Sequence, residues 1–368
     1  FFFNTDLKVS LDQMTDKLKH VLFQADLGSV FDKVSRVRSV AKQLAGHLTL
    51  APETAKQLDR AAWLSKADLV SQMVNEFPKL QGVMGRIYAQ AAGESELCAQ
   101  AIEEHYRPVY SGGQLPETPP GSVLSISEKI DTICGCFLIG LVPTGASDPY
   151  ALRRQGIGLL QIILENGFAL SIEDLVRMSL STFTDIKPST SPEDAASQAG
   201  SFLMNRLAHI LESEGIARDA VAAVLAVSQS DGVPVIAEKA RSLQRLKSEP
   251  EFDTLAIGFK RVVNIIRKAD PADTAKEAVE PSLFEYPAEN ALYEKFTAVQ
   301  EEVRQLLAKR QIDEAFTAVS TLRTPVDQFF DDVLVMAEDA ALRQNRLALL
   351  NQISRLFALL ADFSRIST

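Results

Sequence analysis

The sequence predicts an all-α protein. Three observations carry that reading. Apolar residues recur at three- and four-residue spacing through most of the chain. No run alternates apolar and polar residues as a half-buried strand must, and no repeat period is visible. Pro, Gly, Ser and Asp gather where the helical patterns start and stop.

In chain order, residues 1–4 read as the end of a strand. The opening FFFNTDLK has no initiator Met, no basic n-region and no signal-like segment, so the chain reads as the middle of a longer polypeptide. Leu11, Met14, Leu18, Val21 and Leu22 then form one helical stripe, and residues 30–48 give another that ends in Gly46 and His47. Pro52 and Glu53 restart a helix; residues 61–74 are apolar on one side and carry Trp63, the only tryptophan. Pro78 and Gly82 interrupt, residues 83–92 resume, and residues 106–122 form a long Pro/Gly loop.

Residues 126–165 are the most apolar part, two helices folded across a Pro/Gly turn. Ser125 with Glu128 three residues on has the spacing of a capping box, and Ile130, Ile133, Phe137, Leu138 and Leu141 follow at helical spacing. Pro143, Gly145 and Ser147 stop that helix; Asp148 caps the next, with Pro149 in its first turn. That second helix is apolar almost all round and must be buried. Arg153 falls inside its apolar arc, so an ion pair with Asp131 or Asp148 is expected.

Shorter helices follow, split by a polar loop over residues 184–198, and residues 228–235 form a turn and hinge. Lys239, Arg241, Arg245 and Lys247 then come within nine positions with no acid between them. A composition break at residues 248–253 (SEPEFD) sets the expected domains at 1–247 and 248–368. Beyond it, Leu255, Phe259, Val262, Val263 and Ile266 make an apolar arc, and Lys260, Arg261, Asn264, Arg267 and Lys268 make a basic polar face. A Pro-broken excursion over residues 269–290 leads to helices over 296–307, 313–322, 326–335 and 342–360, completing an antiparallel-looking bundle.

Composition narrows the function. The 368 residues suffice for two or three domains with full cores, and 46% hydrophobic with 23% charged residues is an ordinary globular balance. The longest uncharged run is too short and too polar at its ends to cross a bilayer, so no membrane partner is expected. Three cysteines, an odd number, fit a reducing cytoplasm. Cys134 and Cys136 are two apart on a helix, point to opposite sides and read as core rather than metal ligands. Net charge −10 argues against nucleic-acid binding through bulk charge, though a local basic face remains possible.

No metal-spaced histidines, CxxC, phosphate-cradling glycine motif or nucleophile elbow occurs, and Asp331 and Asp332 are adjacent rather than paired across one helix face. No metal or catalytic residue is expected. Phosphate contacts need several cations on one rigid side, which the 260–268 face offers and which Arg323, Arg343 and Arg346 extend.

The blocks AAWLSKADLVSQMVNEFPKLQGVMGRIYA, ISEKIDTICGCFLIGLVPTGASDPYALRRQGIGLLQII, VEPSLFEYPAENALYEKF and FFDDVLVMAEDAALRQNRLALL resemble the β subunit of the bacterial two-subunit glycyl-tRNA synthetase. The resemblance covers nearly the whole chain. It implies an HD-like helical domain followed by a DALR-type anticodon-binding bundle, with tRNA(Gly) and the synthetase α subunit as partners in an α2β2 holoenzyme. It also implies that ATP and Mg act at the α-subunit active site, leaving no cofactor in this fragment. Where an HD domain carries metal ligands, this sequence has Ser35, Ser65 and Lys66, and only Asp131 matches. One carboxylate beside a lysine falls short of the roughly three protein ligands that a hydrolytic metal needs. RVVNIIRK, residues 261–268, resembles the stretch that opens DALR-type bundles and turns the 260–268 face toward tRNA. The expected tRNA contacts are therefore Lys260, Arg261, Asn264, Arg267, Lys268, Arg323, Arg343, Arg346, Lys239, Arg241 and Arg245. Phe329 and Phe330 are candidate base stackers, with core packing the favoured reading. The alternatives are a metal-dependent HD phosphohydrolase and a helical interaction scaffold.

Overall fold

Helices account for nearly all the regular structure in the computed structural model, which describes residues 1–250 and 252–367. Glu251, inside the expected boundary segment, lies outside the described residues. The chain forms two compact units, residues 1–207 with 232–234, and residues 208–231 with 235–368.

The first unit opens with α1 (Phe2–Asp6) and α2 (Leu11–Lys17). The strand expected at residues 1–4 is therefore a helical turn. Phe3 stacks on Tyr88 at 5.6 Å, and the buried Asp6 carboxylate accepts from Gln72 N (2.8 Å), Met73 N (3.1 Å) and the Tyr88 hydroxyl (2.6 Å). A hairpin the periodicity did not show follows, β1 (Leu22–Gln24) antiparallel to β2 (Gly28–Ser29). Gly28 takes φ +86°, and Gln24 Oε1 accepts from the Asp26 and Leu27 amides, a local turn that outweighs the helical stripe through Val21 and Leu22.

Ser29 and Asp32 form the capping box that starts α3 (Val30–His47); α4 (Pro52–Leu64), α5 (Gln72–Glu76), α6 (Val83–Ala91) and α7 (Glu96–Glu104) follow. The axis of the unit is α8 (Pro119–Leu138), packed on α3, α4, α7, α9 (Leu152–Asn166) and α10 (Ile172–Leu180). All of α8 is buried except Pro119 and Glu128. It starts earlier than the Ser125–Glu128 spacing suggests: Thr118 caps it by accepting from Gly121 N, and Pro119 and Pro120 sit in the first turn. Ser125 lies inside the helix, where its hydroxyl donates to Arg107 O at 2.7 Å.

The next helix starts later than the Asp148–Pro149 signal suggests: Ala151, left-handed at φ +52°, is its N-cap, Pro149 lies ahead of it, and the Asp148 carboxylate reaches in from outside to accept from Leu152 N (2.7 Å) and Arg153 N (3.0 Å). The ion pair expected for Arg153 is absent among the described residues. Asp148 is engaged by backbone amides, Asp131 is taken by Lys33 and Arg36, and Arg153 is only half-buried, so its guanidinium needs no internal counter-ion.

Helices α11 (Pro192–Ser213), α12 (Arg218–Leu225) and α13 (Val233–Lys247) lead into the second unit. Residues 208–231 and 235–247 fold with that unit rather than with the first. Lys247 pairs with Asp219 at 2.6 Å, Asp362 N donates to Ala223 O, and Lys239 Nζ donates to Leu359 O at 2.6 Å. The rest of the bundle is α14 (Phe252–Lys268), α15 (Pro271–Thr274), α16 (Pro287–Ala308), α17 (Ile312–Ser320), α18 (Arg323–Asp332) and α19 (Ala340–Ala358). α14 packs on α19 and α18, and α16 on α17, α18 and α19. At its centre the Phe259 ring stacks on Phe357 at 3.8 Å and meets Phe363 edge-on at 5.1 Å.

Asp6→Ala removes three hydrogen bonds and leaves the Tyr88 hydroxyl buried without its acceptor. We expect a stability loss of about 1–3 kcal/mol, read as a lower urea midpoint; an unmoved midpoint would show that α1 is not held by this carboxylate.

Candidate nucleic-acid interface

The α14 helix is amphipathic because Leu255, Ala256, Phe259 and Val262 recur on the side that enters the bundle. After Asp253 it carries no acid, so its polar side is cationic without internal compensation. Arg261, Arg267 and Lys268 are exposed, and Lys260 and Asn264 are half-buried. The Arg261 guanidinium lies over the Phe330 ring, 4.2 Å from its centroid. Arg267 Nη2 donates to Asn264 Oδ1 at 2.8 Å. Among the described residues, none of Arg261, Arg267 and Lys268 has a carboxylate within ion-pair distance.

This face borders a groove of about 620 Å³ lined by Lys260, Arg261, Asn264 and Lys268 together with Ile257 and Met336. Ile257 is 56% and Met336 49% exposed, so the groove combines donor-bearing edges with apolar surface. The sequence held a signal for Ile257, an apolar residue one turn ahead of Lys260 and Arg261 on their side of the helix. It held none for Met336, which a loop after α18 brings in.

The cations expected beyond α14 are occupied. Arg346, 2% exposed, places Nε 2.9 Å from Glu289 and Nη2 3.0 Å from Glu285. Arg343 holds Asp273 at 2.8 Å and donates to Ala337 O. Lys239 is buried on Asp231 at 2.7 Å, Arg241 pairs with Glu214 at 2.8 Å, and Arg245 donates to Asp313 Oδ2 at 2.6 Å. Arg323 is half-buried, 3.8 Å from Asp327. Of the expected residues, Arg261, Arg267 and Lys268 are therefore the exposed cations without a carboxylate at ion-pair distance among the described residues; Arg241 and Arg245 are exposed too, but each holds a carboxylate distant in sequence. Phe329 and Phe330 are buried, as core packing requires; Phe330 reaches the surface only through the arginine it supports.

In the first unit, the four positions that correspond to HD-type metal ligands do not form a metal site. Ser35 is exposed and donates to Phe31 O, and the Ser65 hydroxyl donates to Ala62 O. Asp131 accepts from Arg36 Nε at 2.8 Å and lies 3.0 Å from Lys33 Nζ. Glu128, one turn earlier on α8, lies 3.4 Å from Lys33 and 3.3 Å from Lys66. Two ammonium groups and a guanidinium thus lie against the carboxylates that a cation would need, a donor set that repels a metal. Burial works to raise the Glu128 pKa, but Lys33 and Lys66 outweigh it and hold the carboxyl well below its usual range. Lys129, buried and donating to Arg107 O (2.8 Å) and Ser125 Oγ (2.6 Å), is pushed down to about 7, chiefly by burial.

Known proteins match this sequence. A family model described as DALR anticodon binding domain matches residues 255–363, so the second unit contains a helical bundle of the anticodon-binding class. A model described as glycyl-tRNA synthetase beta subunit matches residues 1–226. The chain belongs to the glycyl-tRNA synthetase β-subunit family. Along its whole length it is 48% identical to the glycine–tRNA ligase beta subunit of Desulforapulum autotrophicum, 46% to that of Desulfatibacillum aliphaticivorans and 44% to that of Citrifermentans bemidjiense. It covers 52% of each, about half the length of these relatives. No described helix is long and apolar enough to cross a membrane.

Asp131→Asn leaves Arg36 buried without its counter-charge and Lys33 with Glu128 alone, and is expected to cost about 3–5 kcal/mol in urea denaturation; a loss under about 1 kcal/mol would show the network relaxes. Because folding lowers the Lys129 pKa from 10.5 to about 7, the unfolded chain binds the extra proton between those values. That contribution to stability rises with pH across the interval. Lys129→Met should flatten the rise relative to wild type in denaturation at stepped pH, and an identical slope would contradict it.

Proposed function

We propose that this chain is the tRNA-binding part of a glycine–tRNA ligase β subunit, and that its second unit grips the anticodon arm of tRNA(Gly) through the α14 face. In this reading the chain supports ATP-dependent attachment of glycine by the α subunit, in an α2β2 assembly in the cytoplasm. It contributes no catalytic residue and needs no cofactor of its own, ATP and Mg being used at the α-subunit site. The observation that carries the reading is that Arg261, Arg267 and Lys268, which have no carboxylate at ion-pair distance among the described residues, lie on one helix beside a groove, within the stretch that an anticodon-binding family model matches. Phosphates attract such a row, and the adjoining apolar surface suits unstacked bases. The phosphohydrolase reading loses its support where Lys33, Arg36 and Lys66 crowd the Glu128 and Asp131 carboxylates.

Charge reversal of Arg267 and Lys268 to Glu should weaken binding of a glycine tRNA by the full chain. It should also reduce the slope of log K against log salt by about 1–2, while Arg241→Ala and Arg245→Ala leave the slope unchanged. An unaltered slope in the double reversal would remove α14 from the interface.

A further inference from the structure

We propose that Arg261, seated over the Phe330 ring, is the specificity-determining residue of the α14 groove, and that it reads a cytosine through the base's O2 and N3. This rests on the reading of α14 as the anticodon-facing helix and goes a step beyond it, from phosphate attraction to base selection.

Three features single out Arg261 among the arginines of the second unit. Its guanidinium lies over a ring, 4.2 Å from the centroid, and that ring is itself buried, so the fork rests on a rigid support before any ligand arrives. Its donors are uncommitted: among the described residues it makes no side-chain hydrogen bond or ion pair, whereas Arg346, Arg343, Arg245 and Arg241 each hold a carboxylate. It lines the groove beside Ile257 and Met336, whose exposed apolar surface can cover the face of a planar base while the fork meets its edge.

The polar lining of the groove consists of donors. Lys260 and Lys268 are ammonium groups, Arg261 is a guanidinium, and Asn264 has its Oδ1 engaged by Arg267 at 2.8 Å, which leaves its amide N–H₂ as the available end. A donor-lined site favours a base edge with adjacent acceptors. On the Watson–Crick edge, cytosine alone presents two neighbouring acceptors, N3 and O2. Uracil places N3–H where a second acceptor is needed, adenine has the single acceptor N1, and guanine presents N1–H and N2–H₂. Guanine matches the fork only through O6 and N7 of its other edge. The Watson–Crick edge is the one an unstacked anticodon base offers. Glycine codons begin with two guanines, so the matching anticodon carries two cytosines.

The test is binding of the full chain to anticodon stem-loops that differ only in the base at the second or third anticodon position. Wild type should prefer C over U by about tenfold or more at one of those positions. Arg261→Lys keeps the charge but loses the fork; it should bring the C loop down to the affinity of the U loop and leave the U loop within about twofold of wild type. Phe330→Leu should lower the C/U ratio with the charge intact, and thermal melting of both variants confirms that they fold. A C/U ratio preserved in Arg261→Lys overturns the assignment and leaves the α14 surface standing, and a wild-type preference for G overturns the choice of cytosine. If wild type binds no loop, or binding is indifferent to charge reversal at Lys268, the underlying reading of α14 falls and this inference with it.

Discussion

Pairing of cations with carboxylates is the constraint on which the rest depends. The chain carries 48 acids against 38 lysines and arginines, so a cation that comes near a neighbouring element usually meets a carboxylate. Lys239, Arg241, Arg245, Lys247, Arg343 and Arg346 all do, and their charge is spent on the fold. What escapes is decided by local sequence: from residue 254 to its end α14 has no acid, and among the described residues Arg261, Arg267 and Lys268 have no carboxylate at ion-pair distance. An acidic protein thereby keeps a cationic strip, and phosphate attraction is concentrated on one helix instead of spread over the surface.

The same pairing shapes the first unit. Glu128 and Asp131 lie one turn apart on the most buried helix of the chain, and two isolated carboxylates there would be prohibitive without counter-charge. Lys33 and Arg36, a turn apart on α3, and Lys66 from the segment after α4 supply it. A metal could have met the same need, but at these positions the sequence supplies amines and a guanidinium. The cluster fixes α3 against α8 and has no open coordination position at which to do chemistry.

Much of the fold was legible because helical periodicity and caps are local. The α14 arc and the helical stripe from residue 30 depend on residues within a turn or two of each other; the helix expected to run through Leu141 to Pro143 stops instead at Leu138. The α14 face was legible for the same reason, since its lack of acids is a property of one segment. Three things were not. The fate of Arg346 depends on Glu289 and Glu285, 57 and 61 positions away, and no spacing rule reports that. The hairpin at residues 22–29 is set by Gly28 and the Gln24 side chain, a turn hidden under an apparently helical stripe. The Arg261–Phe330 stack joins two helices, so the sequence showed a basic residue and a core aromatic without showing that one orients the other.

The central claim is that, of the cations expected to face RNA, Arg261, Arg267 and Lys268 of α14 are the ones that meet it. Amine-reactive labelling of the lysines, read by mass spectrometry with and without a glycine tRNA, tests it directly. The account predicts that Lys268 is labelled in the free chain and protected by the tRNA, while Lys33, Lys66 and Lys239 resist labelling in both states. Protection that falls instead on lysines outside α14, with Lys268 labelled equally whether or not RNA is present, would contradict it.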